Sequence, residues 1–589
     1  MNDSAGDAPQ CPAPATNKPP GVWLPVGLMA IYWSYQLACR ALGLDMMVLW
    51  LSRVAVAAVV YLTFLGWWLF SRRVRRGDRW FALATVTVAG ALVAGLSVNP
   101  TSALLGLPFV FAAWTIWLIA ARWASPRAWR IGFASFIALT WAPFALLRVE
   151  GLTGDQREQV YWRWQPTAEQ RFFAEHQAAS DHAATVSPAD KQPLAALPGD
   201  WTGFRGPRRD GVVHGVEIET DWKTHPPRQR WRRRVGPGWS SVCVVGGRLF
   251  TQEQRGERET VVCYDAETGD EIWAHDDPTR FDEGVSGSGP RATPTFADGR
   301  LYTAGATGRI NCLDAASGQV VWSRDLVAET GAGLPAFGFW GLSNSPLVID
   351  GLVLVYQWAE GHEQIRAFDA ETGEPVWQFE AGKNNYSSPQ LATLAGERQI
   401  IVVGERGLTA IEPASGKLLW SGAEAHKATM AMVQPHPISD SELIVPTDAG
   451  LVRLAVDRHD DVWTVESRWP APSRALRPAY NDFVVNNDTI YGFDEGVFGC
   501  LDLATGKRRW KRGRYGHGQV LLLADQSLLL VMSETGAVVL LAADSKACRE
   551  LGRFQAIEGK TWNHPVVAHG RLYVRNAEEM ACFELAPPK

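Results

Sequence analysis

The chain lacks the features that mark several common functional classes. It contains no Cys-x-x-Cys-His motif for covalent haem, and no two of its eight cysteines are adjacent. Its formal net charge is only −5, so it has no general attraction for nucleic acid. Residues 1–20 lack the basic end and apolar core of a cleavable signal peptide, and the residues before Cys11 do not form a lipoprotein cleavage site. This stretch, rich in Pro, Ala and Asp, predicts a disordered tail.

Charged residues are scarce in the region that follows, over residues 21–147. It contains five apolar stretches, at about residues 22–43, 46–70, 80–98, 102–121 and 129–147. Each is close to the roughly 17–25 residues that cross a bilayer as a helix. Trp residues lie near their ends, as at Trp67, Trp68 and Trp123, in the manner of an interfacial belt. The alternative is a set of buried helices in a soluble domain. Five stretches so close together favour a membrane domain of about five transmembrane helices.

Arginine is concentrated in two of the connecting loops. Segment 71–79 carries five arginines and segment 121–130 carries three, whereas segment 99–101 carries none. The positive-inside rule places the two basic loops in the cytoplasm. The N-terminal tail is then cytoplasmic, and everything after the fifth helix is outside. The expected location is the inner (cytoplasmic) membrane, multi-pass, with the C-terminal domain in the periplasm of a Gram-negative cell.

A linker is expected over residues 148–199. Its segment from Glu158 to Gln177 has an amphipathic pattern with several aromatic residues and predicts a helix. That helix would lie on the membrane surface or pack under the domain that follows. Residues 178–199 are rich in Ala, Pro and Asp and predict a flexible connection.

One ten-residue phrase recurs through residues 200–589. It first runs from Tyr264 to Trp273, and further copies end at Trp322, Trp377, Trp420 and Trp510. In all five copies an acid lies eight residues before the Trp, Thr or Ser five before, and Gly four before. The acid can cap the N–H groups of a turn, the Gly supplies positive φ, and the Trp buries a large ring. The phrase therefore predicts a hairpin between two strands.

The spacing of the phrase predicts the architecture. Weaker copies end at Trp463 and Phe554, so that seven anchors follow one another at 43 to 55 residues. Repeats of about 40–50 residues with four short strands are typical of a β-propeller. An eighth blade is expected from the strand at Arg230–Val235 and three strands at 565–567, 571–574 and 581–584. The predicted fold is an all-β, eight-bladed propeller, with seven blades as the main alternative. The arginines of Arg228–Arg234 form either a nucleic-acid patch or, as we prefer, a charged edge strand.

The phrase resembles the repeat of pyrroloquinoline quinone (PQQ) dehydrogenases and of the outer-membrane assembly lipoprotein BamB, over residues 200–589. A closer resemblance is to membrane-anchored bacterial PQQ-binding-like propeller proteins. Those often carry segments like 162–169 and 204–211 of this chain. The resemblance implies the quinoprotein alcohol dehydrogenase-like fold. It implies much less about activity, because many such propellers bind no quinone.

Polar residues at the start of each innermost strand predict a ligand site at one mouth of the central channel. Those we assign to the site are Trp239, Arg291, Thr293, Asn344, Tyr386, Asn481, His517, Gln519, Lys560, Trp562, Asn563 and His564. The same mouth is expected to include Ser240, Ser387, Gln434, His436, Asp482 and Tyr515. Such a funnel suits a flat, anionic small molecule. The alternative is a hydrogen-bonded, water-filled channel that binds nothing.

The resemblance implies how PQQ would be held. In the dehydrogenases it stacks on a Trp, is held by Arg, Thr or Ser, and shares a Ca²⁺ with Glu, Asn and Asp, while an Asp acts as base. Here the stacking residue would be Trp239, Trp340 or Trp562. Arg291 and Lys560 would meet carboxylates, and Asn481 with Asp482 would ligate the cation. Asp482 and His517 are the candidate catalytic residues, and no metal site is assigned.

The sequence also departs from the dehydrogenase pattern. The vicinal cysteine pair of methanol and ethanol dehydrogenases is missing, and no motif of spaced carboxylates for Ca²⁺ stands out. Four cysteines, at positions 263, 312, 500 and 582, recur at like positions in four blades, which predicts buried packing residues.

Three functions are compatible with this layout. The first is a membrane-anchored scaffold for binding or assembly of periplasmic or envelope proteins. The second is a PQQ-dependent alcohol or sugar dehydrogenase that passes electrons to the quinone pool, since membrane-bound glucose dehydrogenase also joins five spans to a periplasmic propeller. The third is a periplasmic ligand sensor. We rank the scaffold first, because the short repeats leave little room for the long insertions that build the dehydrogenase site.

Overall fold

A computed structural model describes residues 21–39, 46–97, 101–180, 194–330, 339–359, 362–383, 386–422, 426–429 and 431–587. The chain divides into two compact units. One comprises Met1–Glu150 and Glu158–Gln165, and the other Gly151–Arg157 and Pro166–Lys589. The tail predicted over residues 1–20 lies outside the described residues.

The first unit contains the predicted five helices within its described residues. They are α1 Trp23–Cys39, α2 Met46–Phe70, α3 Arg76–Leu96, α4 Thr101–Ala120 and α5 Pro126–Ala145. Aromatic side chains such as Phe64 and Trp114 are fully buried between them, with ring centroids 5.3 Å apart. Three segments, Leu51–Phe70, Arg76–Leu96 and Ala103–Ala120, are long and apolar enough to cross a membrane. The prediction of five spans is thus supported for three of the five helices.

The linker differs from its predicted form. Residues 158–162 form a strand, because they pair in a two-stranded sheet of β1 Leu147–Leu152 and β2 Glu158–Trp162. The helix, α6, begins only at Ala168 and ends at Ser180. Thr167 and Gln170 fix its start as a capping box, in which each side chain accepts a hydrogen bond from the other residue's backbone N–H.

Helix α6 packs against the propeller, one of the two positions considered for it. The ring of Phe172 is almost fully buried. Two ion pairs flank it, Glu169 with Arg280 and Arg171 with Glu578. The amphipathic pattern of the linker is therefore explained by contact with protein.

The second unit contains eight blades of four antiparallel strands each, which form a propeller, and the sheet of one blade is extended by a fifth, parallel strand. Before them come β3 Val212–Val213, which pairs in parallel with the first strand of blade 7, and β4 Arg228–Arg234. Blade 1 is β5 Cys243–Val245, β6 Arg248–Arg255, β7 Arg258–Asp265 and β8 Glu271–Asp277. Blade 2 is β9 Thr295–Ala297, β10 Arg300–Ala304, β11 Arg309–Asp314 and β12 Val320–Asp325, followed by the short helix α7 Leu326–Thr330.

The next blades repeat this pattern of four strands, and in blades 3 and 5 the first strand is again the shortest. Blade 3 is β13 Leu347–Ile349, β14 Leu352–Ala359, β15 His362–Asp369 and β16 Pro375–Glu380. Blade 4 is β17 Gln390–Leu394, β18 Glu397–Gly404, β19 Gly407–Ile411 and β20 Leu418–Ser421. Blade 5 is β21 His436–Pro437, β22 Glu442–Thr447, β23 Gly450–His459 and β24 Val462–Ser467.

The last three blades complete the ring. Blade 6 is β25 Val484–Asn486, β26 Thr489–Asp494, β27 Val497–Asp502 and β28 Arg508–Arg514. Blade 7 is β29 Gln519–Leu523, β30 Leu528–Met532, β31 Ala537–Ala542 and β32 Arg549–Gln555. Blade 8 is β33 Val566–Ala568, β34 Arg571–Arg575 and β35 Glu579–Glu584, with β4 as its outer strand. The predicted count of eight blades and their closure by a mixed blade are confirmed.

The repeated phrase joins neighbouring blades at most of the junctions in the ring. In blade 2 the indole of Trp322 donates a 2.9 Å hydrogen bond to the carbonyl of Ala370 in the hairpin of blade 3. Its ring also covers Gly373, where an added Cβ would lie 2.6 Å from it. The same stacking recurs for the pairs Trp231–Gly269, Trp273–Gly318, Trp377–Gly416 and Trp469–Gly506. The Gly of the phrase is therefore required by the Trp of the preceding blade as well as by its own positive φ.

The predicted anchor of blade 5 is wrong. Trp463 is only half-buried and lies against Arg458, whereas Trp469 is 3% exposed and donates to the carbonyl of Leu503 in blade 6. The hairpin before β24 is tight, so Trp463 comes too early along the strand. Because the hairpin of blade 5 has lost its Gly, the Trp420 indole instead donates within its own blade, to Gln399.

The cysteines behave as predicted. Cys263, Cys312, Cys500 and Cys582 are free and buried. Each faces the anchor Trp of its blade on the neighbouring strand, as Cys312 faces Trp322. In blade 3 the same place is taken by Ala367 opposite Trp377. A small residue there leaves room for the ring.

Candidate functional site

The loops before the innermost strands of blades 1, 6, 7 and 8 come together at what we call the mouth of the channel. The rings of Trp239 and Trp562 lie 5.0 Å apart at 33°, and Tyr480 lies 5.0 Å from Trp562. Tyr480 also stacks on His517, at 5.6 Å and 25°. The ammonium of Lys560 lies over both indoles, 5.2 Å from the Trp239 ring and 4.5 Å from the Trp562 ring. These five side chains form an aromatic wall with one cation against it.

A loop of the same unit, Gly151–Arg157, enters this mouth; we call it the mouth loop. Its Leu152 N–H donates to the carbonyl of Val285 at 2.7 Å, and the Leu152 carbonyl accepts from Lys560 at 3.1 Å. The Gly154 N–H donates to the Glu534 carboxylate at 2.5 Å. Backbone groups of the loop thus bond to parts of the chain that lie far apart in sequence.

Glu534 is the centre of these contacts. It is 8% exposed, and one oxygen accepts from Gly154 and from the Trp562 indole, the latter at 3.1 Å. The other accepts from the backbone N–H of His517 at 3.1 Å. Three donors satisfy the buried carboxylate, as burial of a charged group requires.

The side chains of the mouth loop fit closely as well. An added Cβ on Gly154 would lie 2.3 Å from the His517 ring and 2.6 Å from the Tyr480 hydroxyl, so no larger residue fits without rearrangement. The Asp155 carboxylate lies 3.7 Å from His517 Nε2. The nearby His517 imidazole lowers the pKa of Asp155 below its usual value.

A second segment, residues 201–211, lies along the innermost strands; we call it the channel segment. Trp201 pairs with Val244 of blade 1, and the carbonyl of Gly211 accepts from Leu522 of blade 7. Between these ends, the guanidinium of Arg209 donates to the carbonyls of Ser345 and Pro346 beside blade 3. The segment therefore contacts blades on different sides of the ring.

A buried ionic triad fixes the channel segment. Arg205 is 1% exposed and donates to Asp482 Oδ1 at 3.0 Å, while His564 Nε2 lies 2.9 Å from Oδ2. Burial raises the pKa of Asp482, but Arg205 and His564 outweigh it and hold the pKa below its usual value. Breaking such a buried pair is costly, because it leaves a charge uncompensated.

Two further groups near the triad have pKa values below their usual range. Burial, with the nearby charge of Arg205, lowers the pKa of Arg209 to about 9. The same two causes lower the pKa of His436 to about 4, so its imidazole is neutral at pH 7. The channel near the triad thus holds two arginines and a neutral imidazole.

The remaining predicted residues make structural contacts between loops and strands. Arg291 Nη2 lies 3.1 Å from Glu283, and burial lowers the pKa of Arg291 to about 10. Two of the others accept hydrogen bonds from backbone N–H groups: Thr293 Oγ1 from Ser241 and Asn344 Oδ1 from Tyr356. Three side-chain amides donate to backbone carbonyls: Asn481 to Gly518, Gln519 to Tyr480 and Trp562, and Asn563 to Ser240. The ring of Tyr386 packs on Trp340. Asn481 and Asp482, which the resemblance paired as cation ligands, bond to different parts of the protein: Asn481 to Gly518, and Asp482 to Arg205 and His564.

These contacts do not fit PQQ at the predicted place. PQQ was expected to stack on Trp239, Trp340 or Trp562, but the Trp239 and Trp562 rings already pack against each other. Arg291 is paired with Glu283, and both oxygens of Asp482 are engaged. Within the described ranges, no group of three or more His, Cys, Asp and Glu side chains is arranged to hold a metal ion.

Sequence reasoning missed the residues that fill the mouth and channel. Glu534 and Gly154 lie 380 positions apart, and neither belongs to a recognisable motif. Arg205 lies within segment 204–211, which we noted for its resemblance only. Its charge, in a segment that also contains Arg208, Arg209 and Asp210, was the one available signal.

Comparisons with known proteins locate the similarity in the propeller. A family model described as outer membrane protein assembly factor BamB matches residues 257–512. BamB of Burkholderia pseudomallei is 25% identical over 259 residues, which are 38% of this chain and 65% of that protein. Quinohemoprotein alcohol dehydrogenase ADH-IIG of Pseudomonas putida is 28% identical over 142 residues, 23% of this chain and 18% of that protein. The chain therefore spans less than two thirds of the length of either relative.

Two solved structures are similar over more than half of this chain, at low sequence identity. BamB from Moraxella catarrhalis has a TM-score of 0.44 at 15% identity, covering 61% of this chain and 99% of that one. Quinohemoprotein alcohol dehydrogenase ADHIIG from Pseudomonas putida HK5 has a TM-score of 0.49 at 14% identity, covering 68% and 82%. The family model and the curated relatives make the propeller BamB- and quinoprotein-like, as the repeated phrase predicted.

Proposed function

We propose that the protein is a membrane-anchored propeller that serves as a binding or assembly scaffold on the outer side of the cytoplasmic membrane. The observation that carries this proposal is the filled mouth. Where a small cofactor would bind, Trp239 contacts Trp562, and Gly154 bonds to Glu534. A propeller with a filled centre still offers its loops and outer surface to other proteins. The description of the matching family as an assembly factor supports the same function.

The anchoring and orientation rest on the first unit. Its three long apolar helices support insertion in a bilayer. The arginines of segments 71–79 and 121–130 favour a cytoplasmic position for those loops. The partners would then be periplasmic or envelope proteins.

A PQQ-dependent dehydrogenase is the second candidate, favoured by the similarity to quinohemoprotein alcohol dehydrogenase. The contacts of Trp239, Arg291 and Asp482 oppose it, because each of these groups already has a partner within the protein. A ligand sensor would need the same mouth to open.

The two candidates differ in a direct binding test. The full chain, purified in detergent, is titrated with PQQ and Ca²⁺ while Trp fluorescence is followed, and membranes are assayed for PQQ-dependent dye reduction. We expect neither saturable quenching at micromolar PQQ nor dye reduction. Quenching that is lost in Trp562→Ala and weakened in Arg291→Ala, together with dye reduction, would overturn the scaffold proposal.

The scaffold itself is tested by site-specific photo-crosslinking in cells. Val376 on the outer strand of blade 3 is 50% exposed, whereas Val355 in the same blade is fully buried. A crosslinker at position 376, and at equivalent outer positions of other blades, should join the chain to one or a few defined envelope proteins. The crosslinker at position 355 is the matched control and should give no adduct. Equal, unspecific adducts at all exposed positions would contradict a scaffold.

A further inference from the structure

The mouth loop contacts the rest of the propeller in the way that a bound peptide contacts its binding site. The loop uses backbone groups, namely the Leu152 N–H, the Leu152 carbonyl and the Gly154 N–H. Its partners come from three separate loops: Val285 lies between blades 1 and 2, Glu534 in a hairpin within blade 7, and Lys560 between blades 7 and 8. Recognition of a peptide through its backbone, with specificity from a few side-chain positions, is a common binding mode of protein domains.

The mouth loop has the shape of a tight turn. The Thr153 N–H donates to the Arg157 carbonyl at 2.8 Å, and the Arg157 N–H donates to the Thr153 hydroxyl at 3.1 Å. Gln156 takes a positive φ of 56°, a conformation that costs energy for a residue with a side chain. The turn presents Gly154 and Asp155 at its tip. A recognised ligand would therefore be a preformed loop tip rather than an extended strand.

The mouth selects the residues of this tip. Gly154 lies where any Cβ would meet His517 and Tyr480, so the position accepts glycine alone. The next residue, Asp155, lies beside the His517 imidazole, which favours a carboxylate there. Steric selection for glycine and charge selection for an acid together define a Gly-Asp or Gly-Glu tip.

An empty mouth would be unfavourable. Without the loop, Glu534 would lose the charge-assisted hydrogen bond from Gly154 while remaining among buried groups. Lys560 would lose the Leu152 carbonyl. The site therefore has a reason to bind a replacement that offers the same groups.

We propose that the channel mouth is a binding site for a glycine-acid loop tip, which the chain's own mouth loop occupies in cis and which a hairpin of a partner protein can occupy in its place. This inference rests on the proposed scaffold function, and it names the site and the chemistry of the partner. The cis loop is then an intramolecular competitor. Because it is tethered, its effective concentration at the site is on the order of millimolar. A partner therefore binds with the full affinity of the site only when the mouth loop is displaced.

The test uses the full chain in detergent and a hairpin peptide of residues 149–160, closed by a disulfide between added terminal cysteines and labelled with a fluorophore. Gly154→Val in the protein displaces the mouth loop, because its side chain collides with His517. We expect this variant to bind the peptide saturably by fluorescence anisotropy. The wild-type chain should bind it at least about tenfold more weakly, because its own loop competes.

Matched peptides test the selectivity. The same hairpin with valine in place of Gly154 should not bind, and the hairpin with asparagine in place of Asp155 should bind several-fold more weakly. Glu534→Gln in the Gly154→Val chain should also weaken binding, since the acceptor loses its charge. Equal binding of all three peptides would overturn the inference.

A second measurement needs no variant that might misfold. Millimolar hairpin peptide added to the wild-type chain should displace the mouth loop and speed tryptic cleavage after Arg157, whereas the valine hairpin should not. No binding to a folded Gly154→Val chain, together with no change in cleavage of the wild type, would refute the inference. That failure is distinct from failure of the scaffold, which the PQQ titration and the crosslinking decide independently.

Discussion

Replacing Trp322 by alanine should lower the free energy of unfolding by about 3–5 kcal/mol, the usual cost for a buried aromatic residue. The side chain is 8% exposed and lies on Gly373 of the next blade, with Tyr302 at 6.1 Å between ring centroids. The lost hydrogen bond adds little, because the Ala370 carbonyl also accepts from the Tyr302 hydroxyl. The cost comes from the cavity left between two blades.

A double-mutant cycle with Gly373→Ala isolates the contact between the blades. In the wild type the new methyl group would lie 2.6 Å from the Trp322 ring and must displace it. In the Trp322→Ala background the ring is gone, and only the positive φ of 73° remains unfavourable, at about 1–2 kcal/mol. The two substitutions should therefore be non-additive by at least about 1 kcal/mol.

Denaturant unfolding of the full chain in detergent, followed by near-UV circular dichroism, measures these changes. Trp463→Ala is the matched control, because that ring is only half-buried, against Arg458, while Trp469 lies on the glycine of the next blade; it should cost about 1 kcal/mol or less. Trp469→Ala should match Trp322→Ala. A loss below about 1 kcal/mol for Trp322, or an equal loss for Trp463, would refute the argument that the phrase holds the blades together.

Three further predictions concern topology, ring closure and pH. Alkaline phosphatase fused after Glu150 should be active and fused after Arg76 inactive, and the reverse pattern would contradict the orientation. Deleting residues 564–589 removes β33, β34 and β35 and exposes β4, so the product should aggregate or become protease-sensitive; a soluble, resistant product would show that the C-terminus is an appendage. Because His517 lowers the pKa of docked Asp155, their contact stabilises the docked mouth loop above about pH 4 and is lost as the pH falls through the lowered pKa. Acidification should therefore change the fluorescence of Trp562 in the wild type, and a change of equal size in Asp155→Asn would contradict this.

The fold was predictable because the repeated phrase contains, within ten residues, the side chains that determine its hairpin. Acid, Gly and Trp act within one hairpin, and their recurrence at fixed spacing specifies the blades without long-range information. Even the mixed eighth blade was predictable. One anchor strand near the start of the domain has no blade before it, and three strands at the end have no anchor strand after them. Where the local signal weakened, at Trp463, the prediction failed, because only the neighbouring blade shows that Trp469 fills the gap.

The site was predictable only in part, for the opposite reason. The start of each inner strand is a local feature, so the sequence pointed to Trp239, His517 and Trp562, which are linked in the structure through ring contacts with Tyr480. What occupies that mouth depends on pairs far apart in sequence, such as Gly154 with Glu534 and Arg205 with Asp482. Neither periodicity nor spacing in the sequence predicts such pairs, because each pair occurs only once in the chain.

The mixed eighth blade also imposes an order on biosynthesis. Strand β4 emerges early, yet its partner β35 emerges last; Arg228 and Glu584, which bond across the pair, are 356 residues apart. The ring can close only after nearly the whole chain has been made, and contacts of such long range form slowly. Until then β4 is an open sheet edge, and its arginines repel the strands of other copies during the wait. The same side chains then serve a second purpose, as Arg228 and Arg230 pair with Glu584 and Glu267 once the last strand arrives.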